Sequence, residues 1–130
     1  MILRAIRGLA PGMLFAAVAH AGESKLFAAA LAKAQANTKS TAGAEYDGAF
    51  GRSFGSRHAD TMGRCTSGAS GRDLETFDLV ARVADNGTIE TVMVSPETKV
   101  AVCLRDSMAR SDYPRPPSPH YAVSIHMRIK

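Results

Sequence analysis

The fold of this chain is decided by residues 77–95, which read FDLVARVADNGTIETVMVS. The first seven alternate between apolar and mostly polar side chains, which is typical of a half-buried β-strand. Asn86-Gly87 is the preferred pair for a type I′ hairpin turn, because both positions of that turn need a positive φ. Residues 88–95 are rich in β-branched side chains and predict the returning strand. The stretch therefore predicts an antiparallel hairpin.

A helix and a third strand are predicted after the hairpin. Ser95 and Pro96 are typical of a helix start, since Ser can cap the helix and Pro fits its first position. We expect this helix to extend to about Ser111, before the prolines of residues 114–119 end it. Residues 121–129 alternate again between apolar and polar side chains. The order predicts an α+β fold (β-β-α-β), a three-stranded antiparallel sheet with one helix packed on a face.

Two segments of different composition precede the sheet. Residues 23–35 are rich in Ala, and their apolar residues recur at helical spacing, which predicts a helix. Residues 43–71 contain seven glycines among Ser, Thr, Asp and Arg. We interpret them as an irregular segment, either a functional loop or a poorly ordered one. Phe50, Phe54 and Met62 are expected to attach part of it to the core.

The first 21 residues have the features of an export signal. Arg4 and Arg7 precede an apolar run that ends in Ala19-His20-Ala21, where small residues occupy the positions that a signal peptidase reads. The run is shorter than the roughly 20 residues that span a bilayer. We expect cleavage near Ala21, a periplasmic mature protein and no stable membrane span; an uncleaved anchor is the alternative. The predicted organisation is a signal peptide (1–21), a helix with a Gly-rich segment (22–72) and the sheet domain (73–130).

Length and charge exclude several classes of protein. A chain of 130 residues suffices for one small domain and is too short for a two-domain enzyme. Two of the formal net charges of +4 belong to the predicted signal, and the other basic residues are spread along the chain. Because nucleic-acid binding needs clustered Lys and Arg, we expect no such binding.

Export gives the cysteines a structural interpretation. Cys65 and Cys103 are the only cysteines, so in an oxidising compartment they are the only possible intramolecular disulfide. Closing a loop of about 39 residues would stabilise the fold by roughly 3–4 kcal/mol. Free thiols or a pair of metal ligands are the alternatives.

The order of the elements and several of their residues resemble the C-terminal domain of TonB-type energy transducers, from about Phe77 to Ile129. The shared features are Phe77-Asp78-Leu79-Val80, the Asp-Asn-Gly turn at 85–87, Val92-Met93-Val94-Ser95, Leu104 and Met108 in the helix, Tyr113-Pro114 after it, and the final alternating strand. The resemblance implies the β-β-α-β fold. Members of that family have an uncleaved anchor and a Pro-rich spacer, whereas this chain begins with a signal that we expect to be cleaved, and its residues 23–71 are rich in Ala and Gly. Whether an energy-transduction role remains is not predicted. The cysteine pair is similar to that of secreted TonB-like variants, in which the helix is joined to the segment before the first strand.

Candidate catalytic and metal residues are few. Residues 51–55 match the nucleophile pattern G-x-S-x-G, but no strand is predicted before them and no helix after them, so we expect no catalysis. His120 and His126 would lie about 20 Å apart along a strand, too far to share an ion. His58 lies near other potential ligands, among them Cys65, whose thiolate is lost if the disulfide forms. We expect no metal and no other cofactor.

These observations predict a non-enzymatic periplasmic module that binds another envelope protein through an exposed sheet edge or the Gly-rich segment. The candidate binding residues are Ser124, His126 and Arg128 of the last strand, with Tyr113 and Arg115 of the Pro-rich segment. That segment is interpreted either as a rigid connector or as a polyproline surface.

The alternative function is an inhibitor or immunity protein that neutralises a cell-envelope-targeting enzyme by inserting residues 43–71 into its active site. The oligomeric state is not predicted.

Overall fold

The structure is a computed structural model that describes residues 25–129. The predicted signal peptide and its cleavage site lie outside the described residues. The elements are α1 (within 25–37), α2 (Thr41–Thr66), a short 3-10 helix (Gly71–Leu74), β1 (Phe77–Val83), β2 (Ile89–Ser95), α3 (Lys99–Met108) and β3 (Tyr121–Met127).

The three strands form one antiparallel sheet in the order β2-β1-β3. Leu79 of β1 lies opposite Val94 of β2 on one side and Ile125 of β3 on the other. The alternating stretch at 77–83 and residues 121–127 of the second alternating stretch therefore form neighbouring strands, and the predicted α+β fold is confirmed.

The hairpin turn differs from the predicted type I′ turn. A positive φ occurs at Gly87 (93°) and not at Asn86, whereas a type I′ turn needs both. Residues 85–87 form a three-residue loop, in which the Gly87 amide donates to the Ala84 carbonyl at 2.9 Å and the Ala84 amide donates to the Thr88 carbonyl at 2.8 Å. The Asn86 side chain accepts from the Thr88 amide at 3.0 Å. These bonds favour the longer loop over the predicted two-residue turn.

Each face of the sheet is covered by helix. The face that carries the odd-numbered residues of β1 packs against α2 and α3 and forms the main core. On the opposite face, Ala34 of α1 packs against Val80 and Ala122. The predicted Ala-rich helix is thus present, and it covers the centre of the second face. The sequence analysis predicted one helix on a face of the sheet, whereas two helices, α2 and α3, cover the face that forms the main core.

The prediction of an irregular segment at residues 43–71 is wrong, because α2 occupies Thr41–Thr66 as a single helix of 26 residues. Its N-cap is Ser40, whose hydroxyl accepts from the Gly43 amide at 3.0 Å. Gly43 lies against the end of α1, where a Cβ would come within 1.7 Å of the Asn37 carbonyl oxygen. Although α2 is long, no helix among residues 25–129 is both long and apolar enough to cross a membrane.

Packing explains why this Gly-rich sequence is helical. Tyr46, Phe50, Phe54 and His58 recur at intervals of four residues and are all buried on one side of α2. Full burial of a large apolar side chain stabilises the fold by about 1.5–3 kcal/mol, whereas a glycine in a helix costs about 0.5–1 kcal/mol relative to alanine. The burial of three aromatic rings therefore offsets the cost of the five glycines in the helix.

The helix predicted from Ser95 begins three residues later. Ser95 is the last residue of β2 and pairs with Asp78, so it cannot cap a helix. Thr98 is the N-cap, and its hydroxyl accepts from the Ala101 amide at 3.1 Å. The helix also ends earlier than predicted, at Met108 rather than Ser111.

Candidate protein-binding surface

Two of the five predicted binding residues, Ser124 and His126, lie in β3, and a third, Arg128, follows its last residue. β3 lies at one end of the sheet, and no other described strand pairs with its outer side. Its first half is covered, because the Asn37 amide group donates to the Ala122 carbonyl at 2.9 Å. Beyond that bond, Ser124 is half-buried and both His126 and Arg128 are exposed. The open part of the edge therefore coincides with the predicted residues.

The backbone N–H and C=O groups of successive β3 residues point alternately towards β1 and away from the sheet. This alternation identifies the residues that are available for pairing with an added strand. The Ala84 amide donates towards β2, at Thr88, so the even-numbered residues of β1 direct their peptide groups to β2 and the odd-numbered ones to β3. The β3 residues opposite even-numbered β1 residues then direct their peptide groups away from the sheet. The Asn37 bond to Ala122, which lies opposite Arg82, agrees with this alternation. Ser124 and His126 follow the same alternation and present unpaired backbone groups at the edge.

His126 forms a surface pair with Asp78 of the neighbouring strand. The two groups are 2.7 Å apart, from Nδ1 to Oδ1, and the side chains are 54% and 36% exposed. A pair this exposed contributes at most about 1 kcal/mol. A binding partner can therefore replace it at little cost.

The structure places Tyr113 in the core and separates it from the other predicted binding residues. Its ring stacks on Phe50 with centroids 4.4 Å apart, and its hydroxyl hydrogen-bonds to His58 Nε2. The Arg57 guanidinium lies 5.8 Å from the ring centroid. Burial raises the pKa of Tyr113 to about 12. Only Arg115, which is exposed, remains available to a partner from this part of the prediction.

The Pro-rich segment is attached to α2 by a second tyrosine. Tyr46 donates its hydroxyl hydrogen to the Pro114 carbonyl at 2.9 Å, and its ring meets Tyr121 edge to face at 5.3 Å. Burial also raises the pKa of Tyr46 to about 12. These contacts support the interpretation of the segment as a connector, held against the core at Tyr113 and Pro114.

His58 has a role that the sequence analysis missed. It is 4% exposed, and its imidazole faces Tyr113 from within α2. Burial, with a smaller contribution from the Arg57 charge, lowers the pKa of His58. The neutral ring therefore connects α2 to the connector. The spacing of four residues from Phe54 was the signal in the sequence that indicated a buried position.

The disulfide between Cys65 and Cys103 is present, as predicted, with the two Cα atoms 5.7 Å apart. It joins the end of α2 to the middle of α3. Because Cys65 is bonded, it is not available as a ligand beside His58. Across residues 25–129 no group of three or more His, Cys, Asp or Glu residues is arranged to hold a metal ion.

A second surface, which the sequence analysis did not predict, follows the outer edge of β2. Two adjoining cavities of about 560 and 300 Å³ share Val92 and Arg105. We call the combined depression the β2 groove. Phe27 of α1 and Arg72 of the 3-10 helix line the larger cavity. The residues come from four elements that are far apart in the sequence, so no local pattern indicated the groove.

No family model, curated protein or solved structure matches this chain.

Proposed function

We propose that the mature protein is a periplasmic, non-enzymatic module that binds another envelope protein by strand addition at the open half of β3. The resemblance of residues 77–129 to the TonB C-terminal domain in sequence is part of this proposal. The proposal is carried by one observation: β3 is an edge strand whose second half, from Ser124 onward, presents backbone groups that no described residue covers.

The side chains of β3 suit this mode of binding. Val123 is buried in the main core, and Ile125 and Met127 pack against the same core. The edge is therefore held in place on a rigid face. An added strand would gain main-chain hydrogen bonds, and its specificity would come from contacts with Ser124 and His126. Arg128 extends the exposed polar surface past the end of the strand.

Export is supported by the N-terminal sequence and by the disulfide. Disulfides persist in oxidising compartments such as the periplasm and are rare in the cytosol. The bond between Cys65 and Cys103 thus fits a protein that leaves the cytosol after synthesis.

The surroundings of Ser53 support a non-enzymatic function. The G-x-S-x-G motif lies within α2, not on a turn between a strand and a helix. Ser53 Oγ accepts a hydrogen bond from the Arg57 guanidinium at 3.1 Å, and arginine cannot act as the general base that activates a serine. The inhibitor alternative required residues 43–71 to form a loop, and most of them are helical. No observation favours that alternative.

Affinity capture from a periplasmic extract tests the proposal. We expect His126→Pro to abolish capture of the partner, because proline removes the outward backbone donor. Ser118→Pro is the matched control, since Ser118 is exposed between two prolines of the connector, and it should capture the partner normally. Ser124→Lys, which keeps the backbone amide and the fold, should weaken capture by charge and bulk.

Circular dichroism checks that each variant is folded. Capture that persists in both edge variants would contradict the proposal. N-terminal sequencing of the exported protein tests the localisation separately: we expect Gly22 as the first residue, and retention of residues 1–21 would contradict cleavage.

A further inference from the structure

We propose that the disulfide between Cys65 and Cys103 is a redox switch, which a dithiol reductant opens by attacking the sulfur of Cys103. Reduction releases residues 62–76 from α3, while the sheet and the rest of α2 stay folded. We call these residues the 62–76 segment. The switch lies away from the edge of β3 and does not depend on a partner there.

The 62–76 segment buries little of its surface. Thr61 and Phe77, the residues that flank it, are both buried, but no residue within the segment is. Met62, Cys65 and Ala69 are partly buried against the main core. Because apolar burial is the main force that holds a segment onto a core, this part of the chain is weakly held apart from its disulfide.

The hydrogen bonds of the 62–76 segment are almost all local. Beyond the end of α2, its backbone bonds join residues that are three positions apart. Within residues 25–129, one hydrogen bond connects the segment to a distant element, from the Lys99 amide to the Asp73 carboxylate at 3.3 Å, and it is exposed. Local bonds of this kind can open while the rest of the fold stays intact.

The helices on either side of the disulfide are held by other contacts. In α3, Val100, Leu104 and Met108 are each 0% exposed and belong to the main core. In α2, Phe50 and Phe54 are buried in the same core. These contacts do not involve the disulfide, so opening the bond affects the 62–76 segment and leaves α3 and the first part of α2 in place.

Cys103 is the more accessible end of the disulfide, because it is exposed on α3, whereas Cys65 is partly buried. A thiolate of the reductant forms a mixed disulfide with Cys103 and displaces Cys65 as a thiolate. The second thiolate of the reductant then attacks the mixed disulfide and displaces Cys103. Two electrons pass from the dithiol to the protein. The two cysteines take up the protons that the dithiol loses, and the reductant leaves as a disulfide.

The switch controls access to the peptide bond after Arg64. In the oxidised protein Arg64 lies in the last turn of α2. Proteases cleave a chain that has opened locally, so release of the segment exposes this bond to those that cut after basic residues. The reduced protein is therefore the form that is open to degradation.

Hydrogen exchange measured by mass spectrometry tests the switch. The full-length exported protein is compared before and after reduction with dithiothreitol at neutral pH. We expect the amides of the 62–76 segment to lose their protection, while those of β1 and β3 remain protected. Trypsin should cleave after Arg64 in the reduced protein and not in the oxidised one.

Loss of protection in β1 and β3 as well would overturn the switch, because the disulfide would then hold the whole fold together. Unchanged protection of the 62–76 segment would also overturn it. So would a disulfide that dithiothreitol reduces only after urea has unfolded the protein.

The site of attack is tested with a limiting amount of glutathione, because a single thiol stops at the mixed disulfide. Free thiols are then blocked with N-ethylmaleimide, and the peptides are identified by mass spectrometry. We expect glutathione on Cys103 and N-ethylmaleimide on Cys65, and the reverse pattern would contradict the assignment.

Asp73→Asn is the matched control, since it weakens the one distant hydrogen bond of the segment and keeps the disulfide. The oxidised variant should protect the 62–76 segment as the wild type does. Release of the segment in this variant would show that Asp73, and not the disulfide, holds it.

Discussion

Replacing three glycines of α2 by alanine should stabilise the protein. Gly51, Gly55 and Gly63 are exposed within the helix, and a Cβ built on any of them meets nothing within 4 Å. An alanine in a helix interior is favoured over glycine by about 0.5–1 kcal/mol. The triple variant should therefore gain about 1.5–3 kcal/mol in the free energy of unfolding. For a domain of this size that gain corresponds to a rise in Tm of roughly 6–20 °C.

Two other glycines serve as controls with the opposite sign. Gly43→Ala should destabilise the protein by about 1–3 kcal/mol, because the added Cβ would overlap the Asn37 carbonyl. Gly68→Ala should cost about 1–2 kcal/mol, since Gly68 has a φ of 75° and no spatial neighbour. Gly43→Ala measures the cost of steric overlap, and Gly68→Ala measures the cost of placing alanine at a positive φ.

Urea unfolding followed by far-UV circular dichroism measures all these effects, and thermal unfolding provides the Tm. If the triple variant is no more stable than the wild type, or less stable, residues 51–63 do not form the helix described here. An equal gain in Gly68→Ala would also refute the reasoning, because it would show that backbone conformation does not decide the sign.

Three further predictions concern the core. The double variant Cys65→Ala/Cys103→Ala should lose about 4 kcal/mol of unfolding free energy, from a sequence separation of 38 residues, and a loss below about 1 kcal/mol in urea unfolding would contradict the loop-closure argument. Tyr113→Phe should cost about 1–3 kcal/mol by the same measurement, because it leaves His58 Nε2 buried without its partner; a neutral substitution would show that the bond contributes nothing. Because the pKa of His58 is lowered from 6.5, the unfolded chain binds a proton that the native protein does not as the pH falls below 6.5. Unfolding free energy measured between pH 7.5 and 5 should therefore decline more steeply in the wild type than in His58→Gln, and parallel curves would exclude this linkage.

The elements predicted correctly are those whose evidence is local in the sequence. Apolar and polar side chains alternate along β1 and β3, so the sequence alone indicates which side chains of each strand face the core. Both strands occur in the structure. The disulfide followed from there being two cysteines only. These predictions did not depend on knowing which segments meet in space.

The main error arose where local composition and tertiary packing favour different structures. The glycines of residues 43–71 have a poor helix propensity and favoured the prediction of an irregular segment, although Tyr46, Phe50 and Phe54 recur at intervals of four residues. Burial of those rings against the sheet decides the conformation, and a sheet that lies later in the chain cannot be inferred from the segment itself. No proline occurs between residues 12 and 95, which was a further indication of helix.

The surfaces were predictable to different extents. The edge at Ser124 and His126 followed from the alternation of the last strand. Tyr113 was assigned to a surface because it lies beside several prolines, and it is buried because α2 packs against the connector. The β2 groove depends on Arg72 and Arg105, which are brought to one edge only by the folded chain.

The covalent connection between α2 and α3 also determines how far the chain can be stretched. The β1–β2 hairpin lies inside the loop closed by Cys65 and Cys103, whereas β3 lies outside it. A force applied to the two ends of the oxidised protein can detach β3 and unwind α2 but cannot extend the 38-residue span between the cysteines. At about 3.5 Å per residue, roughly 130 Å of contour length is withheld until the bond is reduced. β3, the strand to which we propose that a partner binds, can therefore be pulled free while the β1–β2 hairpin beside it cannot be extended.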